Sequence, residues 1–346
     1  MTTRPPSTDR AMRAARLHGV GDIRLHDEAI PTPHEGESLL RVTVAGLCGS
    51  DLHWFGDGGI GDSRLDSPLV LGHEFAAVVE DGPGRGRRVA VDPAVPCGSC
   101  DPCRAGHHNL CTSIGFAGHG GVDGALRGYL AWRSDLVHEV PDTLTDADAA
   151  MLEPLGVAIH AMDLARQRVG STVAVVGCGP IGLMVVQLAR AAGARQVVAV
   201  EPLPHRRDAA LRLGADVALD PAEVDDETLR EATLGHGADV VFEVAGTDSG
   251  VDLALLAARP AARVLLVGIP DRDTTTFTAS LARRKGLTLV MVRRMKDPYP
   301  RAIALVEQGR VDVRSVVTDT YPLERVQEAF ARAAGRSGLK VVVETT

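Results

Sequence analysis

Three groups of residues in this chain carry chemistry by type and spacing. The first is a quartet, Cys97, Cys100, Cys103 and Cys111. Thiolates so spaced can wrap a tetrahedral Zn2+ and fill all four positions, which makes the metal structural rather than reactive. Disulfides between cysteines three apart would close small strained loops. An iron–sulfur cluster is the sharper rival, but the long gap before Cys111 and the lack of a proline after it favour zinc. The second group is Cys48, Ser50, Asp51 and His53, followed by the pair His73 and Glu74 and later by Glu153. Thiol, imidazole and carboxylate are the donors of a reactive metal site, and hydroxyl and imidazole can move a proton.

The third group is glycine-rich. Gly177, Gly179 and Gly182 form G-x-G-x-x-G between an apolar run and a helical pattern, and Glu201 ends the next apolar run. Gly177 permits a tight turn, Gly179 lets a pyrophosphate approach the backbone, and Gly182 lets helix and strand pack closely. The helix start offers unpaired N–H groups to phosphate. Glu201 suits a ribose diol and repels a 2′-phosphate, so NAD is favoured over NADP, with His205, Arg206 and Arg207 as the residues that could receive a phosphate instead. The candidate cofactor residues are thus Gly177, Gly179, Pro180, Ile181 and Gly182 in the turn, Glu201 and Arg206 after the second run, and Val267 and Arg294 at later strand ends. Cys178 reads as a small filler.

These groups need elements to hold them. Residues 12–150 are rich in glycine, proline and short alternating runs such as 39–44 and 88–91, which predicts a small β-rich barrel or sandwich. Residues 146–168 read as one helix. Apolar runs then follow at 172–176, 196–200, 216–219, 239–242, 263–267 and 288–292, separated by helical segments. Strands buried on both faces lose their polar alternation, so six of them alternating with helices predict a doubly wound parallel sheet. Residues 283–285, all basic, read as a solvated helix end. Two more helices and a last strand at 339–343 close the chain, and periodicity alone does not say which domain they join.

The chain has 346 residues, which at ~150 per domain suggests roughly two domains. With 45% apolar residues it can build real cores. A net charge of −8 and 3% aromatics argue against nucleic-acid and anionic-membrane binding. No apolar run is long enough to span a bilayer. The basic N-terminal stretch lacks an apolar centre and reads as a disordered arm rather than an export leader, so a cytoplasmic protein is expected.

With these residues in view, the chain resembles the zinc-dependent medium-chain dehydrogenase/reductase family, and within it the polyol branch of sorbitol (L-iditol) and L-idonate 5-dehydrogenases. The resemblance runs from Met12 to the C-terminus. It is carried by 46–53 (Gly-Leu-Cys-Gly-Ser-Asp-Leu-His), 72–74 (Gly-His-Glu), the cysteine quartet, 153–155 (Glu-Pro-Leu) and the glycine turn. It implies an α/β chain with a GroES-like catalytic domain at 1–156, bearing a zinc lobe at about 95–113, a Rossmann domain at 157–295, and a return to the first domain at 296–346. It also implies a catalytic zinc on Cys48, His73 and either Glu74 or Glu153, besides the structural zinc on the four cysteines. Asp51 would orient the histidine, Ser50 would contact substrate oxygen, His53 would end a proton relay, and Arg294 would lie near substrate and cofactor. The activity implied is oxidation of a secondary hydroxyl of a polyol or sugar acid, with hydride passed to NAD+, in a homodimer or homotetramer. For a sugar-acid carboxylate, Arg294 or Arg127 would be the cation. The sequence departs from the branch at Trp54 and Met295, where tyrosine and an aromatic residue are usual. L-Threonine 3-dehydrogenase shares the glutamate pattern, so it stays a rival. A cofactor-binding protein without turnover, or a zinc-free quinone-reductase-like relative, would have no need of the Cys48, His73 and Glu153 set.

Overall fold

The computed structural model describes residues 11–270 and 272–346, so the N-terminal arm expected from sequence lies outside the described residues. The chain divides into two compact units, each with its own sheet.

The first unit takes the chain to Ala105, then Cys111–Glu153 and Val317–Thr346. Its seven-stranded sheet runs in the order Val137–Glu139, Arg88–Val91, Glu74–Asp81, Glu37–Gly46, Lys340–Glu344 and Val317–Pro322, with Tyr129–Arg133 also paired to Glu37–Gly46. A hairpin of Ala11–Gly19 and Asp22–Ala29 forms a second sheet with Leu69–Val70. Alternation turns Leu40, Val42, Val79, Leu130 and Trp132 into a shared apolar core. The two C-terminal strands belong to this sheet, which resolves what periodicity left open. Trp54 is also core, 2% exposed, with its ring edge-on to His119 at 5.3 Å.

The register of the central strands matters for the site. Gly46 stands opposite Glu74 on one side and Val342 on the other. A Cβ at Gly46 would run into Glu74 Oε2, so only glycine lets that carboxylate lie across the strand.

The helix expected over 146–168 is broken into Asp146–Ala150 and Leu152–Ala165. Thr145 caps the first piece, its hydroxyl accepting from Asp148 N–H while Asp148 accepts from Thr145 N–H. Pro154 has no N–H to return to that piece, so the helix restarts. Glu153 is thereby set in the first turn of the second piece.

The second unit is Gly106–Leu110 and Pro154–Val316. Its six parallel strands are ordered Val217–Leu219, Gln196–Val200, Thr172–Val176, Ala238–Glu243, Ala258–Leu266 and Thr288–Met291. This is a doubly wound order, with its switch point between Thr172–Val176 and Ala238–Glu243. Every residue of Thr172–Val176 is buried, as a strand covered on both faces requires. Helix Tyr299–Glu307 and the turn after it stay with this unit, although the sequence placed the return at 296. The Gln187 amide holds that turn, donating to Asp312 O at 3.0 Å and accepting from Asp312 N–H at 2.7 Å. Lys285 does not end in solvent: its ammonium donates to the carbonyls of Leu255, Leu256 and Ala258 at 2.7–2.9 Å.

Candidate metal centres and dinucleotide turn

The four clustered cysteines come together as one group. Their Sγ atoms lie within 4.8 Å of one another, and none is in a disulfide. The chain folds so locally because Pro102 opens the short helix Asp101–Arg104, which turns Cys103 inward. Cys97 Sγ accepts from Cys100 N–H at 3.4 Å, and Cys111 Sγ from Cys97 N–H at 3.3 Å. Such donors favour thiolate. Hydrogen bonds from Ser99 and from Cys100 N–H lower Cys97 to about 6, while burial pushes Cys103 up to about 12. A tetrahedral dication is the group that would let all four ionise together, and the donor set fits zinc.

The second group is tighter than the sequence could say. Cys48, His73 and Glu74 each offer a ligand atom within 4.8 Å of the others. Cys48 stands in extended backbone just ahead of helix Gly49–Asp57, and its N–H is held by Asp51 Oδ2 at 2.9 Å. Gly72 adopts φ 95°, a turn that delivers His73 and Glu74 to the start of strand Glu74–Asp81. Asp51 is 1% exposed; its Oδ1 lies 3.4 Å from His73 Nδ1 and accepts from Gly72 N–H at 3.3 Å. Burial opposes its ionisation, but His73 and the N–H groups of Cys48 and Gly72 outweigh that and hold its carboxyl below the ordinary value. Burial likewise disfavours charged His73, and Asp51 and Cys48 reverse this and raise it well above its ordinary value. With Nδ1 taken by Asp51, the other ring nitrogen, Nε2, faces Ser50 Oγ at 3.4 Å and is free for a metal.

Glu153 falls outside the 4.8 Å set but within electrostatic reach of it. Burial raises its carboxyl to about 8, His73 and Lys340 lower it, and Glu74 raises it. His53 Nδ1 meets Asp57 Oδ2 one helical turn on, at 3.1 Å. Arg127 is committed elsewhere, to Asp123 at 3.1 Å and Glu28 at 3.6 Å, which removes it as the cation for a sugar-acid carboxylate.

In the second unit the glycine turn has the shape the motif asks for. Gly177 has φ 94°, and a Cβ there would meet Ala245 N at 2.7 Å. A Cβ on Gly182 would collide with Gly177 O. At Gly179, which precedes helix Pro180–Ala191, a Cβ would find only Arg206 Nη1, at 3.8 Å, so the space there is left for a ligand. Ile181 lies in the first turn of that helix. Glu201 is 4% exposed and holds the loop itself: Oε2 accepts from Cys178 N–H at 2.7 Å and Oε1 from Leu203 N–H at 3.1 Å. Arg207 is spent on Glu201 O, Pro202 O and Asp220, which leaves Arg206 as the arginine beside the turn. Val267 follows strand Ala258–Leu266, its N–H bound to Glu243 O at 2.8 Å. Arg294 has φ 54°, and Met295 behind it packs on Gly156.

Several residues at these sites were not legible in advance. Phe116 sets its ring 5.2 Å from His73. Glu243 is buried and accepts from Gly246 N–H at 2.7 Å, fixing the turn that closes on Gly177. Asn109 donates to Arg293 O at 2.9 Å, next to Arg294. Lys340 binds Glu74. Phe116 and Asn109 lie close to the cysteine motif, and all four act through contacts distant in sequence.

Comparison with known proteins agrees with this geometry. The family described as "Alcohol dehydrogenase GroES-like domain" matches residues 34–142, and that described as "Zinc-binding dehydrogenase" matches residues 180–308. Sorbitol dehydrogenase of Bacillus subtilis (strain 168) is 35% identical over 329 residues, 93% of each chain. L-Idonate 5-dehydrogenase from Escherichia coli str. K-12 substr. MG1655 superposes with a TM-score of 0.90 at 27% identity, over 97% of this chain and 98% of that one. A zinc-binding dehydrogenase of Sinorhizobium meliloti 1021, solved bound to NADP, superposes at 0.89 with 29% identity, over 97% of this chain and all of the other. The two matched domains, and the relative that is alike almost end to end, place this chain in the zinc-dependent medium-chain dehydrogenase/reductase family, to which it belongs.

Proposed function

We propose that this enzyme oxidises a secondary hydroxyl of a polyol or sugar acid to the ketone, with NAD+ as hydride acceptor. The observation that carries the reading is the cluster of half-buried Cys48 with buried His73 and Glu74, and Glu153 in electrostatic reach, a donor set for a zinc with a position left for substrate. Cys48, His73 and one glutamate would hold the catalytic zinc, and the four-cysteine lobe the structural one. When bound there, zinc makes an alcohol acidic enough to lose its proton near neutral pH. Asp51 would keep the His73 ring turned so that Nε2 is left for the metal, Ser50, 3.4 Å from that nitrogen, would accept a proton from the substrate hydroxyl, and His53 would pass it on. Glycines 177, 179 and 182, with the start of helix Pro180–Ala191, would take the pyrophosphate. Glu201 favours NAD over NADP, because its fixed carboxylate beside the turn repels a 2′-phosphate. Arg206 is the residue on which an NADP preference would depend.

Relatives named for sorbitol and L-idonate support a polyol or its acid over L-threonine. Zinc-loaded protein should reduce NAD+ with one of sorbitol, xylitol, L-iditol, galactitol or L-idonate, and lose that activity on chelation. Turnover of L-threonine alone would move the enzyme to the rival branch. Silence on every substrate, with zinc and NADH bound, would overturn the polyol reading.

We further propose a homo-oligomer working in the cytoplasm. The strand Thr288–Met291 ends the six-stranded sheet with an unpaired edge, and Met291 is 74% exposed, as a surface covered by a second copy would be. A cysteine quartet gathered as metal ligands suits a reducing compartment, and no helix among the described residues is long and apolar enough to cross a membrane. Light scattering of Met291→Glu against the parent tests the interface, with a smaller species expected for the variant.

A further inference from the structure

Lys340 is 4% exposed, at the start of strand Lys340–Glu344, and no motif accounts for it. Its ammonium donates to Glu74 Oε1 at 2.8 Å, to Glu74 Oε2 at 2.6 Å and to Leu47 O at 3.0 Å. Those three bonds use all its donors. Leu47 precedes Cys48, so one side chain grips the residue beside one candidate ligand and both oxygens of another. Strand pairing brings it there: Val342 is set opposite Gly46, which faces Glu74 on its other side. Lysine is almost never buried without a partner, and here the partner is a group the metal would also use.

The surroundings are rich in negative charge. Those charges come from Asp51 and Glu74, and the Cys48 thiol and Glu153 carboxyl bear on the same small volume and would add to them on ionising. A carboxylate oxygen that accepts from an ammonium has less electron density to give a metal than a free one, and a metal with weaker donors is the stronger Lewis acid.

We propose that Lys340 is a positioning residue of the Cys48, His73 and Glu74 centre, holding Glu74 and the Cys48 turn in one geometry and limiting the negative charge they present to the metal. The proposal rests on the metal reading of those three residues, and not on which alcohol is the substrate. Without the ammonium, Glu74 becomes a freer and stronger donor and the cluster one charge more negative. The metal is then held more tightly and polarises an alcohol less. A side chain that merely filled space would have neither effect.

The test is to place Co2+ at this centre in the parent protein, Lys340→Met and Lys340→Arg, and to record visible absorption, the rate of metal loss to a chelator and steady-state kinetics. In Lys340→Met the absorption bands should move, metal loss should slow by about tenfold because a positive charge that repels the metal is gone, and kcat should fall by about tenfold with little change in KM. Lys340→Arg keeps the charge and should restore the parent spectrum. If Lys340→Met does not fold, Lys340→Gln, which keeps a hydrogen-bond donor without the charge, carries the same expectations. Parent-like bands and release rate in the neutral variant, with only a lower melting temperature, overturn the proposal, as does faster metal loss. A parent protein that takes up no metal at this centre removes the metal assignment itself, and the role of the lysine with it.

Discussion

A carboxyl buried like Glu153 must either keep its proton or find a cation. Burial raises it to about 8 from an ordinary 4.5, and the charge of Glu74 adds to the shift. Without metal, the folded protein therefore binds a proton that the unfolded chain releases, and His73, also raised, acts in the same direction. Stability from such groups is complete below their unfolded values and is lost as pH rises through the folded ones. We expect the melting temperature of the metal-free protein to fall between pH 4.5 and 8, and Glu153→Gln, which cannot ionise, to flatten part of that fall. Melts across this pH range check it; an equally steep fall in the variant would show that Glu153 is not the group responsible. In the zinc-loaded enzyme the same substitution should lower turnover by about a hundredfold, while NADH titration by fluorescence stays as in the parent. At this scale the family resemblance was most informative: it named Cys48 and His73 and left the third ligand between Glu74 and Glu153, and the structure gathers Cys48, His73 and Glu74. Lys340 was not nameable, since a lysine at the start of a terminal strand reads as a surface residue until strand pairing brings it to Glu74.

Elements were legible where period decides and less so where a single side chain does. The apolar runs at 172–176 and 196–200 became strands with those bounds because burial on both faces leaves no other pattern. The helix over 146–168 misled because its composition is helical throughout, and only the missing N–H of Pro154 and the Thr145 cap divide it. Lys285 is the reverse case. Composition made it a solvated end, but its ammonium closes the carbonyls of Leu255, Leu256 and Ala258, one helix back. Positive charge at a helix C-terminus, with hydrogen bonds to otherwise unpaired carbonyls, stabilises by about 1–2 kcal/mol. Lys285→Met should therefore lower unfolding free energy by that amount in urea titration, without changing metal content. Arg283→Met, with no such bonds at its end of helix Ala279–Lys285, serves as the control. At the glycine turn, Gly182→Val should abolish NADH binding, because even a Cβ there collides with Gly177 O and must push the helix off its strand. Retained binding would mean that the turn relaxes more easily than its packing suggests.

Across the whole chain, the last thirty residues decide more than their pattern announces. Val317–Pro322 and Lys340–Glu344 complete the sheet that carries the metal cluster, though neither strand bears a recognisable motif. The family resemblance supplied that return where periodicity was silent, because alternation marks a strand but not its partner. The two metal sites then differ in a way that a chelator can read. The four-cysteine site has every donor supplied by one short segment, and N–H groups of that segment already favour thiolate. A closed tetrahedral site gives a competing ligand no open position to attack, whereas Cys48, His73 and a glutamate leave one. The two zincs should therefore leave in order. A mild chelator should remove one equivalent and all turnover while the melting curve of the protein changes little. The second equivalent should come away only when a thiol reagent attacks the cysteines, and its loss should lower the melting temperature sharply, since binding free energy at a structural site is folding free energy. Cys103→Ala should show that loss of stability directly, with one zinc per chain still bound at the Cys48 centre. Simultaneous loss of both equivalents would contradict the division into an open and a closed centre.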